Sequence, residues 1–195
     1  MAKLEPDVIL ALQRQVPKLA RKGLEREARK KFERIKQEMI NEFLAHPITQ
    51  EIMGGAGGAN ISGTLGGVSN LFAFIGFNEG DDPIAPILTL LESVTFKYES
   101  DIKRSVQGFG VNFKATLPLP EDIFSVTPLP WATGRSWARG IESGLSGLGH
   151  LLKKNKGRSG AAVQTRVKVR GGKFQNTPYI SAFLRKYKKK FEESK

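Results

Sequence analysis

The side chains able to do acid–base, nucleophilic or metal chemistry are few in this chain and poorly spaced for it. There are two histidines and no cysteine, so thiolate nucleophiles, disulfides and every Cys-based zinc or iron–sulfur site are excluded together. His46 precedes a helix-ending proline and His150 falls on a predicted helix far along the chain; neither has a carboxylate neighbour to orient it as a general base. Gly144-Leu145-Ser146-Gly147 falls short of the G-x-S-x-G nucleophile elbow and sits in a helical rather than a strand-to-helix setting. Asp81 with Asp82, and Glu121 with Asp122, lie in turn-like segments where helix capping accounts for them. The glycine-dense run from Gly54 to Gly67 contains no phosphate-binding G-x-x-x-x-G-K-[ST] and follows no readable strand, which argues against a nucleotide site. An enzyme is therefore not favoured, and no metal or cofactor is expected.

Recognition chemistry is better represented. Both tryptophans fall in Pro130-Trp131-Ala132-Thr133-Gly134-Arg135-Ser136-Trp137, two rigid amphipathic rings flanking a turn with Arg135 between them. A second aromatic group, Phe72, Phe74 and Phe77, follows the glycine run. Each group either anchors a neighbouring subunit or plugs the core of its own chain. On the first alternative Phe72, Phe74, Phe77, Trp131, Arg135 and Trp137 are the candidate subunit-interface residues, and the glycine arm orders only when a neighbour covers it.

Charge is unevenly distributed. The net charge is +12 overall, made of +4 over residues 1–50, −5 over 51–130 and +13 over 131–195. A basic block of this kind neutralises phosphates, docks on an acidic protein surface, or stays solvated. Arg166, Lys168, Arg170 and Lys173 belong to one basic segment, and Arg185, Lys186, Lys188, Lys189 and Lys190 edge a C-terminal helix; these are the candidate contacts for DNA or an acidic partner. Phe174, Tyr179 and Tyr187 are the candidates for stacking on bases.

The elements that position these groups follow from periodicity. Leu12, Val16, Leu19, Leu24, Ala28, Phe32, Ile35, Met39 and Phe43 mark one helical face. Pro17 and Gly23 interrupt it, so a short helix and a longer one ending at His46-Pro47 are expected. The charges between these positions, Arg21 to Glu38, alternate in sign like a solvated, pair-laced face. Asp81-Asp82-Pro83 reads as a helix start leading Ile84, Ile87, Leu88 and Leu91 inward. Thr95 to Tyr98 and Ser105 to Leu117 have strand composition, and Pro118 to Pro130 reads as extended. Helix Ala138 to Lys154, strand Ala161 to Arg170 and a final amphipathic helix opening at Thr177-Pro178 complete the chain. The order predicts an α+β fold: a long N-terminal helix, a small antiparallel sheet packed with two or three helices, and extended glycine- and proline-rich arms. Residues 1–47 form the helical segment and 48–195 the α+β core of what reads as a single domain. No apolar run approaches the roughly 20 residues of a membrane span, and no signal-peptide core is present, so a soluble, unexported protein is expected.

Asn60 to Gly67, Asn70 to Phe77, Asp82-Pro83-Ile84, and Leu129-Pro130-Trp131 through Trp137 together resemble the neck or tail-completion proteins of tailed bacteriophages, over most of residues 30–190. The pattern Pro-x-x-Thr-Gly-Arg-Ser opening a helix is similar to Pro-x-x-Thr-Gly-x-Leu in that family, with Ser136-Trp137 departing from the usual leucine. The resemblance implies a structural virion protein, present in the host cytoplasm during assembly. It implies a homo-oligomeric ring joining the head portal to the tail, with portal or head-completion and tail proteins as partners and double-stranded DNA in the channel. The basic residues then face that DNA or an acidic neighbouring ring. The alternative reading is a nucleic-acid-binding protein using the C-terminal Lys/Arg block.

Overall fold

The computed structural model describes residues 6–65, 70–105, 108–143 and 177–193. The fold is α+β, with a long N-terminal helix and two small antiparallel strand pairs. Helix α1 runs unbroken over Pro6–Ala45, about 60 Å at 1.5 Å per residue. The break expected near Pro17 and Gly23 does not occur: the helix continues through both, one lost hydrogen bond and one flexible residue being outweighed by the strong helix formers around them. Its C-terminal part buries Phe32, Ile35, Met39 and Phe43, spaced at three and four residues so that they share one face.

Pro47 ends α1 and at once begins α2, Pro47–Met53, with His46 as its cap: the Nδ1 of His46 accepts the Ile48 N–H at 3.3 Å. Short helix α3, Leu71–Ile75, is capped by Asn70 and closed by Gly76 in the left-handed region, φ 89°. Helix α4 spans Ala85–Glu92. It begins after the expected start at Asp82-Pro83, yet Asp82 still serves it, its Oδ1 accepting the N–H groups of Ile84 and Ala85 at 3.1 Å each.

Strands β1, Thr95–Ser105, and β2, Gly108–Thr116, form an antiparallel hairpin with a register shift between Glu99 and Ile102. Ser105, which strand composition places at the opening of the second strand, thus closes the first. Alternation puts Phe96, Tyr98 and Phe113 on one side and Lys97, Glu99 and Lys114 on the other. The aromatic side lies along α1: Phe96 meets Phe32 with centroids 5.1 Å apart, Arg21 covers Tyr98 at 3.8 Å and Arg29 covers Phe96 at 5.5 Å. Two of the cations read as part of a solvated face thus cover aromatic rings, while Glu25 with Arg29 and Glu27 with Lys30 form the expected surface pairs.

The proline-rich stretch is not extended throughout. Pro120 occupies the first turn of α5, Pro120–Ser125, where its missing N–H costs nothing. Strands β3, Pro128–Leu129, and β4, Ala132–Ser136, make a second antiparallel pair, followed by α6, Trp137–Glu142. Helix α7, Ile180–Glu193, packs Tyr179, Ile180, Phe183, Leu184 and Tyr187 into the interior. One continuous core joins α1 to α7 through Phe43, Ile48, Leu71, Ile87, Ile123, Trp137 and Tyr179; each such side chain contributes roughly 1.5–3 kcal/mol on burial. The helix expected over Ala138–Lys154 ends at Glu142, where Ser143 caps it with its N–H on the Arg139 carbonyl; residues 144–154 and the expected strand over 161–170 lie outside the described residues. Among the described residues no helix is long and apolar enough to cross a membrane, and no cluster of metal-ligating side chains is present.

Candidate functional site

Two of the motif segments, 70–77 and 129–137, meet in the fold. Trp137, at the start of α6, is 1% exposed and meets Phe77 edge-on at 5.9 Å; Phe77 in turn contacts the buried Phe72 at 5.3 Å. Trp131 donates its indole N–H to the Ile75 carbonyl at 2.7 Å. The turn between the tryptophans is pinned from beneath: Thr127 and Ser136 share a hydroxyl–hydroxyl hydrogen bond of 2.7 Å, the Trp137 N–H reaches the Thr127 carbonyl, and Ser136 Oγ caps α6 by accepting the Arg139 N–H. Gly134 has φ 74°, a left-handed conformation that turns the exposed Thr133-Gly134-Arg135 run outward.

This corrects the expected set of subunit anchors. Phe72 and Trp137 are core residues of their own chain, 3% and 1% exposed, with Phe77 packed between them, which leaves little of either ring for a neighbour. Phe74, Phe77 and Trp131 are half-buried, and Arg135 is exposed.

The described part of the glycine arm is also ordered by its own chain, which corrects the expectation that it orders only under a neighbour. Glu51 is fully buried, and its carboxylate accepts the Ser62 N–H at 2.8 Å and the Leu71 N–H at 2.7 Å. Asn70 donates its amide to the carbonyls of Gly55, Ala56 and Gly58 at 2.8–3.0 Å and accepts the Ala73 N–H. Two polar side chains thus satisfy backbone that a coreless loop would leave open. Met53 and Ile61, flanking the arm, remain more than half exposed.

Beside the motif turn, α5, the β3–β4 pair and α6 enclose a groove of about 530 Å³. Arg135 and Arg139 both line it, over a floor that includes Phe124, Pro128 and Leu129, with Glu121 also in its wall. The Arg139 guanidinium lies 5.1 Å from the centre of the Phe124 ring. No described carboxylate is within ion-pair distance of either arginine. Arg139 and Phe124 are not singled out by the sequence, and Glu121 is read there only as a helix-capping carboxylate; the spacing of Arg135 and Arg139 is the available signal, but a strand-to-helix junction falls between them.

The basic C-terminal helix is partly neutralised from within. Lys186 pairs with Glu42 at 2.6 Å, Lys190 with Glu38, and Lys189 with Glu193 at 3.5 Å, while Arg185 and Lys188 are exposed with no described carboxylate in ion-pair range. Tyr187 donates its hydroxyl to Glu42 at 2.7 Å. Partial burial pushes the Glu42 carboxyl up, but the bonds from Lys186 and Tyr187 and the charges of Lys186 and Lys190 outweigh it and hold it below the usual carboxylate range. Burial pushes the Tyr187 and Tyr179 hydroxyls well above the normal tyrosine value, Glu42 reinforcing this at Tyr187 and the Thr49 hydroxyl opposing it at Tyr179. Both rings are at most 1% exposed, so neither Tyr179 nor Tyr187 is open to stack on a base as expected. Phe174, Arg166, Lys168, Arg170 and Lys173 lie outside the described residues. Glu142 accepts both the backbone N–H and the hydroxyl of Ser181, joining the end of α6 to the start of α7. The stretch 144–176 between them carries eight Lys/Arg and no Asp/Glu in sequence.

Comparison with family models, curated proteins and solved structures returns no match.

Proposed function

We propose that this chain is a structural subunit of the neck of a tailed bacteriophage, forming a ring that joins the head portal to the tail around the DNA channel, without catalytic activity. The observation that carries the reading is that two of the segments responsible for the family resemblance, 70–77 and 129–137, form one interlocked unit presenting the Thr133-Gly134-Arg135 turn to solvent. A rigid platform with an outward turn suits repeated subunit contacts, since little order remains to be imposed on assembly. The long α1 and the unmatched charges at Arg135, Arg139, Arg185 and Lys188 give the surface directional features that a head-to-tail contact uses. The test is hydrodynamic: purified chain, alone or with portal and tail components, sediments as a closed ring of many subunits. A strictly monomeric protein, absent from purified virions, would end this reading.

A second reading, nucleic-acid binding by the C-terminal block, is favoured by the acid-free stretch 144–176 and the exposed Arg185 and Lys188. It is weakened by the commitment of Lys186 and Lys190 to carboxylates of α1. Titration of double- and single-stranded DNA across salt separates the two: steep loss of tight binding with rising salt supports it, and negligible affinity at low salt removes it.

A further inference from the structure

We infer that the groove carrying Arg135 and Arg139 receives the acidic loop Asn78–Asp82 of a second copy of this chain, an inference that rests on the ring reading above. Arg135 and Arg139 both line one concavity, the Arg139 guanidinium held against the Phe124 ring, and no described carboxylate of the same chain pairs with either. Such a site is complementary to an occupant bearing carboxylates on a compact, protruding backbone.

The chain itself supplies one. Glu79, Asp81 and Asp82 are three carboxylates within four residues, all exposed, with no described cation in ion-pair range. The loop is already shaped: Asp81 Oδ2 accepts the Asn78 N–H at 2.7 Å, the Asp81 N–H reaches the Asn78 carbonyl, and Gly80 turns at φ 91°. Asp81 and Asp82 each use one oxygen on backbone N–H groups, which leaves the other oxygen of each for a partner. A preformed prong loses little conformational freedom on docking.

Charge polarity argues the same way at larger scale. Residues 51–130 carry −5 and residues 131–195 carry +13; the loop belongs to the first segment, and the two arginines of the groove to the second. The two features do not pair within one subunit. Opposite charges on different patches of one surface are satisfied by successive copies in a heterologous contact, which closes into a ring when the rotation permits. Glu121 in the wall opposes any anion alike, so it does not separate the occupants; duplex DNA fits less well because the apolar lining at Phe124, Pro128 and Leu129 suits a compact peptide loop and offers a phosphate backbone nothing.

The absence of native cysteine makes the contact directly testable. In the full chain, Glu79→Cys combined with Arg135→Cys is oxidised under assembly conditions. The expected result is a ladder of disulfide-linked oligomers that collapses on reduction, while each single variant gives at most a dimer. Arg135→Glu alone raises the concentration needed for assembly by about tenfold or more, and mixing it with Glu79→Lys in equal amounts restores assembly through the reversed pair. Both positions are exposed, and matching circular dichroism spectra verify that the variants fold. A ring that sediments normally while the double-cysteine variant stays unlinked overturns the loop-in-groove contact and leaves the ring standing. A disulfide that closes within single chains overturns it too, since the groove then faces its own loop. A chain monomeric at every concentration, with and without portal and tail components, overturns both readings.

Discussion

Trp131 hands its indole N–H to the carbonyl of Ile75, 56 residues earlier in sequence, and Gly76 is what lets the ring approach: a Cβ there would sit 3.3 Å from the indole Cδ1. Gly76 also closes α3 at φ 89°, so one residue meets a backbone and a packing requirement at once. Gly76→Ala is expected to destabilise the chain by about 1–3 kcal/mol through left-handed strain and crowding. Trp131→Phe should cost about 1 kcal/mol through the unpaired carbonyl. Urea denaturation of the two single variants and the double variant will check this, with the double falling short of the sum because the effects share one contact.

Asn70 organises the glycine arm, and its loss should be felt there first. Asn70→Ala removes three bonds to arm carbonyls and the cap of α3, a change expected to cost about 2–4 kcal/mol. Hydrogen exchange should show the Ala73 and Gly58 amides losing protection ahead of the α1–α7 core. Unchanged exchange at both would show that the arm is held by something else.

Stability should fall in two separable steps on acidification. Burial holds His46 below its ordinary value of 6.5, against the opposing pull of Glu42, and its Nδ1 must stay unprotonated to cap α2. The unfolded chain therefore takes up a proton that the folded chain resists, and stability declines as pH drops below about 6.5. Glu42 is likewise depressed from its ordinary 4.5, so its contribution is whole above that pH and is lost as pH falls through the lower folded value. His46→Asn, which keeps a capping side chain, should remove the upper step, and Glu42→Gln the lower. Denaturation midpoints from pH 8 to 3, roughly the span of both titrations, will resolve them.

The two sides of α7 should respond very differently to truncation. Lys186→Ala and Lys190→Ala break surface pairs with Glu42 and Glu38, and each should change stability by less than about 1 kcal/mol. Tyr187→Ala empties a fully buried site and strips Glu42 of a donor; about 3–5 kcal/mol is expected. Thermal melts of the three variants will show whether the helix is held by its aromatic side, as this contrast requires.

Local signals were legible where neighbouring residues settle the outcome. The three- and four-residue spacing of Phe32, Ile35, Met39 and Phe43 is enough for one buried helical face, and the composition of 95–98 and 105–117 is enough for two strands, though not for the place where the first ends and the second begins. The final helix was readable for the same reason, since Tyr179, Ile180, Phe183, Leu184 and Tyr187 repeat at its period. Helix α5 and the continuity of α1 were not, because a proline forbids a central strand or weakens a helix without saying which neighbouring structure compensates.

The sequence alone determined the α+β class, the lack of cysteine chemistry, the separation of charge along the chain and the two aromatic clusters, all properties of residue type and short-range order. Tertiary structure alone decided that Phe72 and Trp137 are buried in their own chain with Phe77 between them, that Glu51 and Asn70 fasten the glycine arm, and that Arg135 and Arg139 share a groove. The physical reason is that an aromatic ring or a buried amide gains the same contact energy from its own chain as from another. Which one supplies it depends on the path that brings residues 70–77 against 129–137, and no local pattern encodes that path.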